Sequence, residues 1–345
     1  MTAGPGRPSR PAGVRILGTG VALPDRVVTN DELAKTVDTS DEWIHSRTGI
    51  RTRRIADDDT RTSDLAAQAV AAACDTAGVA PTDLDLLILA TMTPDTACPA
   101  TACTVAAKAG ATPCGAFDIN IACTGYVAAL NMASNAVMAG HYRHVAVVAA
   151  DTLSSIVDWT DRRTCILFGD AASACVIGPS DDPLQGCLYQ SLGADGVKGE
   201  ALYIPHSEKD LPDFVADPAV TDQAGWNGSY GKLQMNGGAV YKFAVKVLAD
   251  SVEQALHATG LAADDIAMVI PHQSNIRMLQ SSWKRLGFPE DKVRINIDRF
   301  GNTSAASCGI CLHECLEEGL VGEGDHVVFV AQGGGLSWGS ALWRL

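Results

Sequence analysis

The chain has 345 residues, 47% hydrophobic and 19% charged, the balance of a soluble globular protein built as two domains or one large duplicated unit. Its net charge of −14 works against general binding to nucleic acid or to an anionic membrane surface, though it does not forbid a local basic patch. No apolar run reaches the ~18 residues of a membrane span, so no membrane partner is expected.

Residues 1–13 contain Pro5, Pro8, Pro11 and three glycines without an apolar core, and read as a short disordered tail rather than a secretory signal or lipid anchor. Eleven cysteines without an export signal point to free thiols in a reducing cytoplasm. Residues 14–21 form the first expected strand, followed by a turn at Leu23, Pro24 and Asp25 and a helix start capped by Thr29 or Asn30. An Ala-rich helix opens at Ser63 and closes at Gly78. Residues 84–91, 116–121 and 144–150 are apolar runs of the kind buried on both faces of a sheet, with a second Ala-rich helix over 125–139. Strands alternating with helices predict parallel sheets.

The second half restates the first. A shift of 182 residues carries Ala67 onto Ala249, Ala73 onto Ala255, Gly78 onto Gly260 and Asp83 onto Asp265. The same shift carries His144, Val145, Val148 and Ala149 onto His326, Val327, Val330 and Ala331. Two similar α/β halves are therefore expected, residues 14–180 and 181–345, with a Gly-, Asp- and Pro-rich surface insertion over 193–231.

In such sheets, ligand groups gather at strand C-termini and helix N-termini. Three junctions of this kind carry reactive residues. At the first, the strand through Ile119 runs into Asn120, Ile121, Ala122 and Cys123 just before a helix, where unpaired N–H groups favour a thiolate and can lower a thiol pKa of about 8.5, though taken alone a small buried cysteine fits there better. At the second, Val269, Ile270 and Pro271 deliver His272, a candidate donor or base, though a hydrogen-bonded structural histidine fits there equally. At the third, Asn302 lies on the turn that the 182-residue shift matches to the cysteine turn, with Ala305 in the place of Cys123; an Asn before a helix also serves as a cap. Together the junctions deliver Cys, His and Asn to one pseudo-twofold site. The glycines Gly333, Gly334 and Gly335 after a buried strand can bare backbone N–H groups as an oxyanion hole. Cys308, Cys311, His313 and Cys315 offer a metal-site reading, but the cysteine spacing puts all three on one buried helix face with His313 elsewhere, so no metal is expected.

These motifs resemble the β-ketoacyl-acyl-carrier-protein synthase III family of the thiolase superfamily. The likeness runs over residues 14–345 and includes Thr39 to Ile44, Arg47 to Arg51, Phe168-Gly169-Asp170, Pro271-His272-Gln273, Gly301 to Ser307 and the terminal Gly333 to Leu342. It implies a duplicated thiolase-like fold with two similar βα halves layered α-β-α-β-α, a homodimer, and no cofactor beyond acyl-CoA as substrate. It implies that Cys123 takes an acyl group from acyl-CoA and that His272 and Asn302 hold the thioester carbonyl of a malonyl-acyl carrier protein during decarboxylative condensation. The N–H groups of Cys123 and Gly334 would form the oxyanion hole, and Trp43, Arg47 and Arg162 would hold coenzyme A. Lys242, Arg277, Lys284 and Arg285 match the carrier-docking patch, the last three at a spacing that suits one helix face.

Departures from the family pattern fall at Thr124 and Tyr126 beside the nucleophile and at Cys98, which stands where the family often has Phe or Thr lining the acyl pocket from across the dimer interface. These three are the expected acyl-pocket residues. A degradative thiolase would need a second cysteine beside the terminal glycines, where Ala331 and Gln332 stand instead. An acyltransferase to an alcohol or amine would use Cys123 and His272 with less need of Asn302, and a metal or redox protein would be built on the Cys308 cluster.

Overall fold

The computed structural model describes residues 11–211 and 229–345; the expected tail over 1–10 and the centre of the 193–231 insertion lie outside the described residues. The first half forms a five-stranded sheet. Its strands are β1 (Gly13–Ala22), β2 (Leu86–Ala90), β3 (Gly115–Ile119), β4 (Val145–Asp151) and β5 (Ala171–Ser180), in the order β1-β5-β4-β2-β3. Gly13 thus belongs to the first strand and not to the tail. The second half forms a four-stranded sheet from β6 (Gly186–Ala194), β7 (Ile266–Pro271), β8 (His326–Gly333) and β9 (Ser337–Arg344), in the order β7-β8-β9-β6.

The strand orders answer one another. β2 and β4 pair in parallel, as do β7 and β8; each pair then continues antiparallel into a return strand, β5 or β9, and on to β1 or β6. The sheets are therefore mixed, not purely parallel, because the return strands need no crossover helix. The expectation of two buried faces holds for β2 and β4, whose residues are all buried, but not for β3, a half-exposed edge strand.

Helices complete five layers. α1 (Asp41–Thr48) stands at the sheet tips. α2 (Thr62–Ala77) and α3 (Thr101–Lys108) cover the outer face of the first sheet with Leu65, Ala69, Val70 and Val105. α4 (Gly125–Met138) and the later α7 (Ala306–Glu317) fill the space between the sheets, while α5 (Gly237–Thr259) and α6 (Ile276–Leu286) cover the outer face of the second with Leu248, Val252, Leu279 and Trp283. Gly78 and Gly260, 182 residues apart, both end their helices in the left-handed conformation, at φ 63° and 72°. Cys308, Cys311 and Cys315 lie fully buried on α7 between the sheets, and His313 points away, its Nδ1 2.9 Å from Thr19 Oγ1.

The described part of the 193–231 segment is not a mere surface excursion. Leu202 and Tyr203 pair with Met235 and Gln234 in a short antiparallel ribbon, and this ribbon walls the cavity at the strand tips. Among the described residues, no helix is long and apolar enough to cross a membrane.

Candidate active site

The C-terminal ends of β2, β3, β4, β7 and β8 converge on one cavity of about 890 Å³. Cys123, His272, Asn302, Ser304, Gly333 and Gly334 share its wall. Local sequence explains each placement. Cys123 sits in a single tight turn, residues Ala122–Thr124, that runs straight into α4. Ala122 adopts φ 48°, and Ser304, at the matching position 182 residues on, adopts φ 51°. No other described non-glycine residue has a positive φ, and strain held symmetrically at two reactive turns is characteristic of functional sites. Gly125 permits the two turns to meet: a Cβ there would lie 2.6 Å from Ala90 Cβ and 3.3 Å from Ala305 Cβ.

His272 continues the parallel pairing of β7, its N–H donating to the Val330 carbonyl at 2.8 Å. Its Nδ1 lies 2.9 Å from Ser307 Oγ, which leaves Nε2 for the cavity. The ring is fully buried, and burial pulls it down to about 3, so the imidazole is neutral at physiological pH.

Asn302 is fixed from three sides. Its N–H donates to the Leu167 carbonyl at 2.8 Å, its carbonyl accepts from Gly169 N–H at 3.0 Å, and its side-chain Oδ1 accepts from Ser304 N–H at 2.8 Å. With the carboxamide oxygen engaged, the NH₂ group is the donor left for the cavity. The Phe168-Gly169-Asp170 motif serves this purpose. Gly169 approaches the second half so closely that a Cβ would meet the Phe300 carbonyl oxygen at 2.4 Å, and Asp170 ties its loop to Ser154 and Ala56.

The Cys123 thiol differs from expectation. It accepts from Ser304 Oγ at 3.6 Å, yet burial outweighs that hydrogen bond and pushes the thiol up to about 12, instead of down as a helix N-terminus alone would. The nucleophile and the histidine are therefore both neutral near pH 7. Asp151, at the tip of β4, adds a further buried group. One of its oxygens accepts from Met92 N–H, Thr91 Oγ1 and Thr93 Oγ1 at 2.8, 3.0 and 3.2 Å, and burial raises it to about 6. Sequence reasoning missed Asp151, Ser304 and Ser307; only a polar residue directly after the apolar run 145–150 signalled the first.

The glycines of residues 333–335 pack on the nucleophile turn. A Cβ on Gly333 would lie 2.7 Å from Cys123 N, and one on Gly334 3.5 Å from Ala122 Cβ. Ser337 Oγ, which donates to Gly334 O at 2.8 Å and lies 3.0 Å from Thr124 Oγ1, holds the two segments together.

Other expected residues separate into those the fold brings together and those it does not. Two guanidinium groups lie over the Trp43 ring, Arg47 at 4.5 Å and Arg162 at 4.4 Å from its centre. Ser40 caps the α1 helix that carries Trp43 and Arg47, accepting from Trp43 N–H at 3.1 Å. Lys242 on α5 and Arg277, Lys284 and Arg285 on α6 are all exposed, with Arg285 paired to Asp250 at 2.5 Å. Thr124 and Tyr126 do not line the cavity. Both are fully buried: Thr124 faces Ser337, while Tyr126 packs against Phe329 between the sheets and donates to Cys175 Sγ at 3.3 Å. They point inward because they open α4, whose first turn is buried on every side. Cys98 is exposed and does not line the cavity of its own chain. The apolar wall is formed instead by residues such as Met92, Leu153, Ile156, Leu202 and Ile204.

Comparison with known proteins agrees with this architecture. The 3-oxoacyl-[acyl-carrier-protein (ACP)] synthase III family model matches residues 117–196, and the model of that family's C-terminal part matches residues 256–345. A β-ketoacyl-[acyl-carrier-protein] synthase III of Natranaerobius thermophilus is 44% identical over 330 residues, covering 95% of this chain and 98% of the relative. One from Xanthomonas campestris pv. campestris is 47% identical over 330 residues, covering 96% and 98%. The crystal structure of 3-oxoacyl-[acyl-carrier-protein] synthase III from Aquifex aeolicus superposes with a TM-score of 0.87 at 41% identity over 96% of this chain and 100% of that one. The priming β-ketosynthase of the R1128 polyketide biosynthetic pathway superposes with a TM-score of 0.88 at 35% identity over 99% of both chains. With relatives this similar along nearly its whole length, the chain belongs to the β-ketoacyl-[acyl-carrier-protein] synthase III family.

Proposed function

We propose that the protein starts acyl chains by decarboxylative condensation, with Cys123 as nucleophile and His272 and Asn302 as its partners. The Cys123 thiol passes its proton to His272 Nε2 as the sulfur attacks the carbonyl carbon of an acyl-CoA. The carbon–sulfur bond to coenzyme A then breaks, the leaving sulfur takes that proton, and a thioester remains on Cys123. A malonyl thioester on a carrier protein enters next, its carbonyl oxygen toward His272 and the Asn302 NH₂ group. Loss of CO₂ leaves an enolate held by these donors, and its carbon attacks the Cys123 thioester, whose oxyanion faces the Cys123 and Gly334 N–H groups. Collapse expels the Cys123 thiolate, which takes a proton from solvent, so each condensation consumes one proton.

A neutral thiol beside a neutral imidazole suits this sequence, because the proton moves only when substrate arrives. Ser307 supports both roles of His272. Its hydroxyl donates to the Ser304 carbonyl at 2.8 Å when Nδ1 carries the proton and Nε2 is a base; turned toward Nδ1 at 2.9 Å, it leaves the proton on Nε2 as a donor. The observation that carries the reading is the Asn302 carboxamide, its oxygen engaged by Ser304 N–H and its NH₂ free in the cavity of Cys123 and His272. Simple acyl transfer to an alcohol or amine has less need of that donor.

Trp43, Arg47 and Arg162 would receive coenzyme A, with the indole stacking on adenine, and no cofactor beyond the substrates is required. The exposed Lys242, Arg277, Lys284 and Arg285 would dock the acidic carrier. A homodimer would cover the half-exposed edge strand β3, which presents Phe117 and Ile119. Eleven free thiols suit the cytoplasm. Priming of a polyketide chain is the second reading, favoured by the likeness to the R1128 priming synthase over the full length of both chains; the chemistry is the same.

Intact-mass measurement after exposure to a panel of acyl-CoAs tests the first step. One acyl adduct is expected on the wild type and none on Cys123→Ala, and an adduct persisting on another cysteine would remove Cys123 from the mechanism.

A further inference from the structure

Next to His272 stands a buried polar residue that the reaction does not touch. His272 and Ser274 line the cavity, whereas Gln273 between them is fully buried and does not. Its carboxamide uses all four of its hydrogen-bonding positions on the main chain. Nε2 donates to the Pro271 carbonyl at 2.9 Å and to the Arg294 carbonyl at 3.1 Å. Oε1 accepts from Asn296 N–H at 3.0 Å and from Ile297 N–H at 3.2 Å. Three of the four bonds therefore reach a segment 21 to 24 residues further along the chain.

A gap in the backbone pairing explains why a side chain is needed there. Val293 lies beside β7 as a parallel partner of Val269, and Arg294 N–H donates to the Val269 carbonyl at 3.0 Å. In a parallel ladder the next bond runs from the N–H of residue 271 to the Arg294 carbonyl, but Pro271 has no N–H. Gln273 Nε2 takes that acceptor instead. Its Oε1 then holds the N–H groups that open the short helical turn Ile297–Phe300. That turn leads straight into Asn302, with Gly301 N–H donating to the Ile297 carbonyl at 2.9 Å. On the other side, Ser307 Oγ meets His272 Nδ1 at 2.9 Å and accepts from Gln273 N–H at 3.2 Å. One side chain thus joins the strand that carries His272 to the segment that delivers Asn302.

We propose that Gln273 is a positioning residue that sets the spacing of the His272 and Asn302 donors, so that both reach one carbonyl oxygen during decarboxylation. The proposal rests on the condensing-enzyme reading. Acylation needs no such spacing: there His272 acts on the Cys123 proton without Asn302, and it keeps its bonds to Val330 and Ser307 whatever side chain residue 273 carries. Holding one oxygen between two donors is more demanding, because a displacement of about 1 Å can cost about 100-fold in rate. Leu167 and Gly169 tie Asn302 to the first half of the molecule, whereas Gln273 ties its segment to the strand of His272.

The test follows both steps in Gln273→Met, which keeps the side-chain length without its hydrogen bonds, and in Gln273→Asn, which is too short to make them all, so that one folded variant suffices. Acylation by acetyl-CoA, read by intact mass, counts the competent sites and should stay within a few-fold of wild type. CO₂ release from malonyl-carrier, expressed per acylatable site, should fall in kcat by about 10- to 100-fold with little change in KM. In Gln273→Glu, a buried carboxyl that holds its proton keeps the acceptor for Asn296 and Ile297 and one donor, so most of the rate should return. Non-additivity separates positioning from plain structural support. In an Asn302→Ala background no second donor is left to place, and adding either Gln273 variant should slow decarboxylation no further. An equal loss in both backgrounds, a parallel loss of acylation and decarboxylation, or decarboxylation at the wild-type rate would each overturn the proposal. A wild type that acylates Cys123 yet releases no CO₂ from malonyl-carrier sinks the condensing-enzyme reading and this proposal with it.

Discussion

Asn302→Ala separates the two halves of the proposed reaction. Asn302 Oδ1 is committed to Ser304 N–H at 2.8 Å, so truncation removes one cavity donor, the NH₂ group, and not two. A single preorganised donor to a developing oxyanion is worth ~2.7–4 kcal/mol, or about 10²–10³ in rate. The same truncation strips Ser304 N–H of its partner at a buried site, which costs ~1–3 kcal/mol of stability. The backbone anchors to Leu167 and Gly169 survive, because they use main-chain atoms. Acylation of Cys123 by acyl-CoA, followed by intact mass, should stay within a few-fold of wild type, while CO₂ release from malonyl-carrier falls by the full factor. Decarboxylation at the wild-type rate would refute the donor role and favour an acyltransferase. Failure of the folded variant to acylate would place Asn302 in the first step instead.

Gly169→Ala should act on the same group from a distance: its Cβ would meet the Phe300 carbonyl at 2.4 Å, so the loop carrying Asn302 must shift, at a cost of ~1–3 kcal/mol in thermal unfolding and a slower decarboxylation. Tyr126→Phe should lower stability by ~1 kcal/mol through the lost bond to Cys175 and leave the ranking of acyl-CoAs untouched. If Cys98 closes the far end of the acyl pocket across a dimer interface, Cys98→Phe should shift acylation toward acetyl and away from four- to eight-carbon groups, since each buried CH₂ contributes ~0.8 kcal/mol; an unchanged ranking removes Cys98 from the pocket. His272, held near 3 against about 6.5 unfolded, carries fewer protons in the folded state between those values. Its contribution is complete above pH ~6.5 and is lost as pH falls toward 3, by ~1.4 kcal/mol per unit. Asp151, raised to about 6, has the opposite sign below that pH, so the measurement is the stability difference between wild type and His272→Asn in urea. That difference should shrink on acidification from pH 7 to 5, and a flat difference would mean the ring is not held neutral.

Features that rest on local chemistry and repetition are legible in the residues alone. The 182-residue shift exposed the duplication, and it extends to a feature no composition argument reaches, the strained pair Ala122 and Ser304. Strand tips are readable because a buried strand is apolar and its exit is polar, so Cys123, His272 and Asn302 stood out as junction residues. How those residues are held depends on packing between the two halves. The sign of the Cys123 shift depends on how deeply the halves bury it, a property of contacts between residues some 180 positions apart in sequence, and burial won over the helix terminus. Thr124 and Tyr126 stand next to the nucleophile in sequence, yet α4 turns them into the core, because neighbours along a helix start point in different directions. The cavity wall was likewise beyond sequence reading: strand alternation assigns a face, but what that face meets is fixed only when α5 and α6 pack over the second sheet.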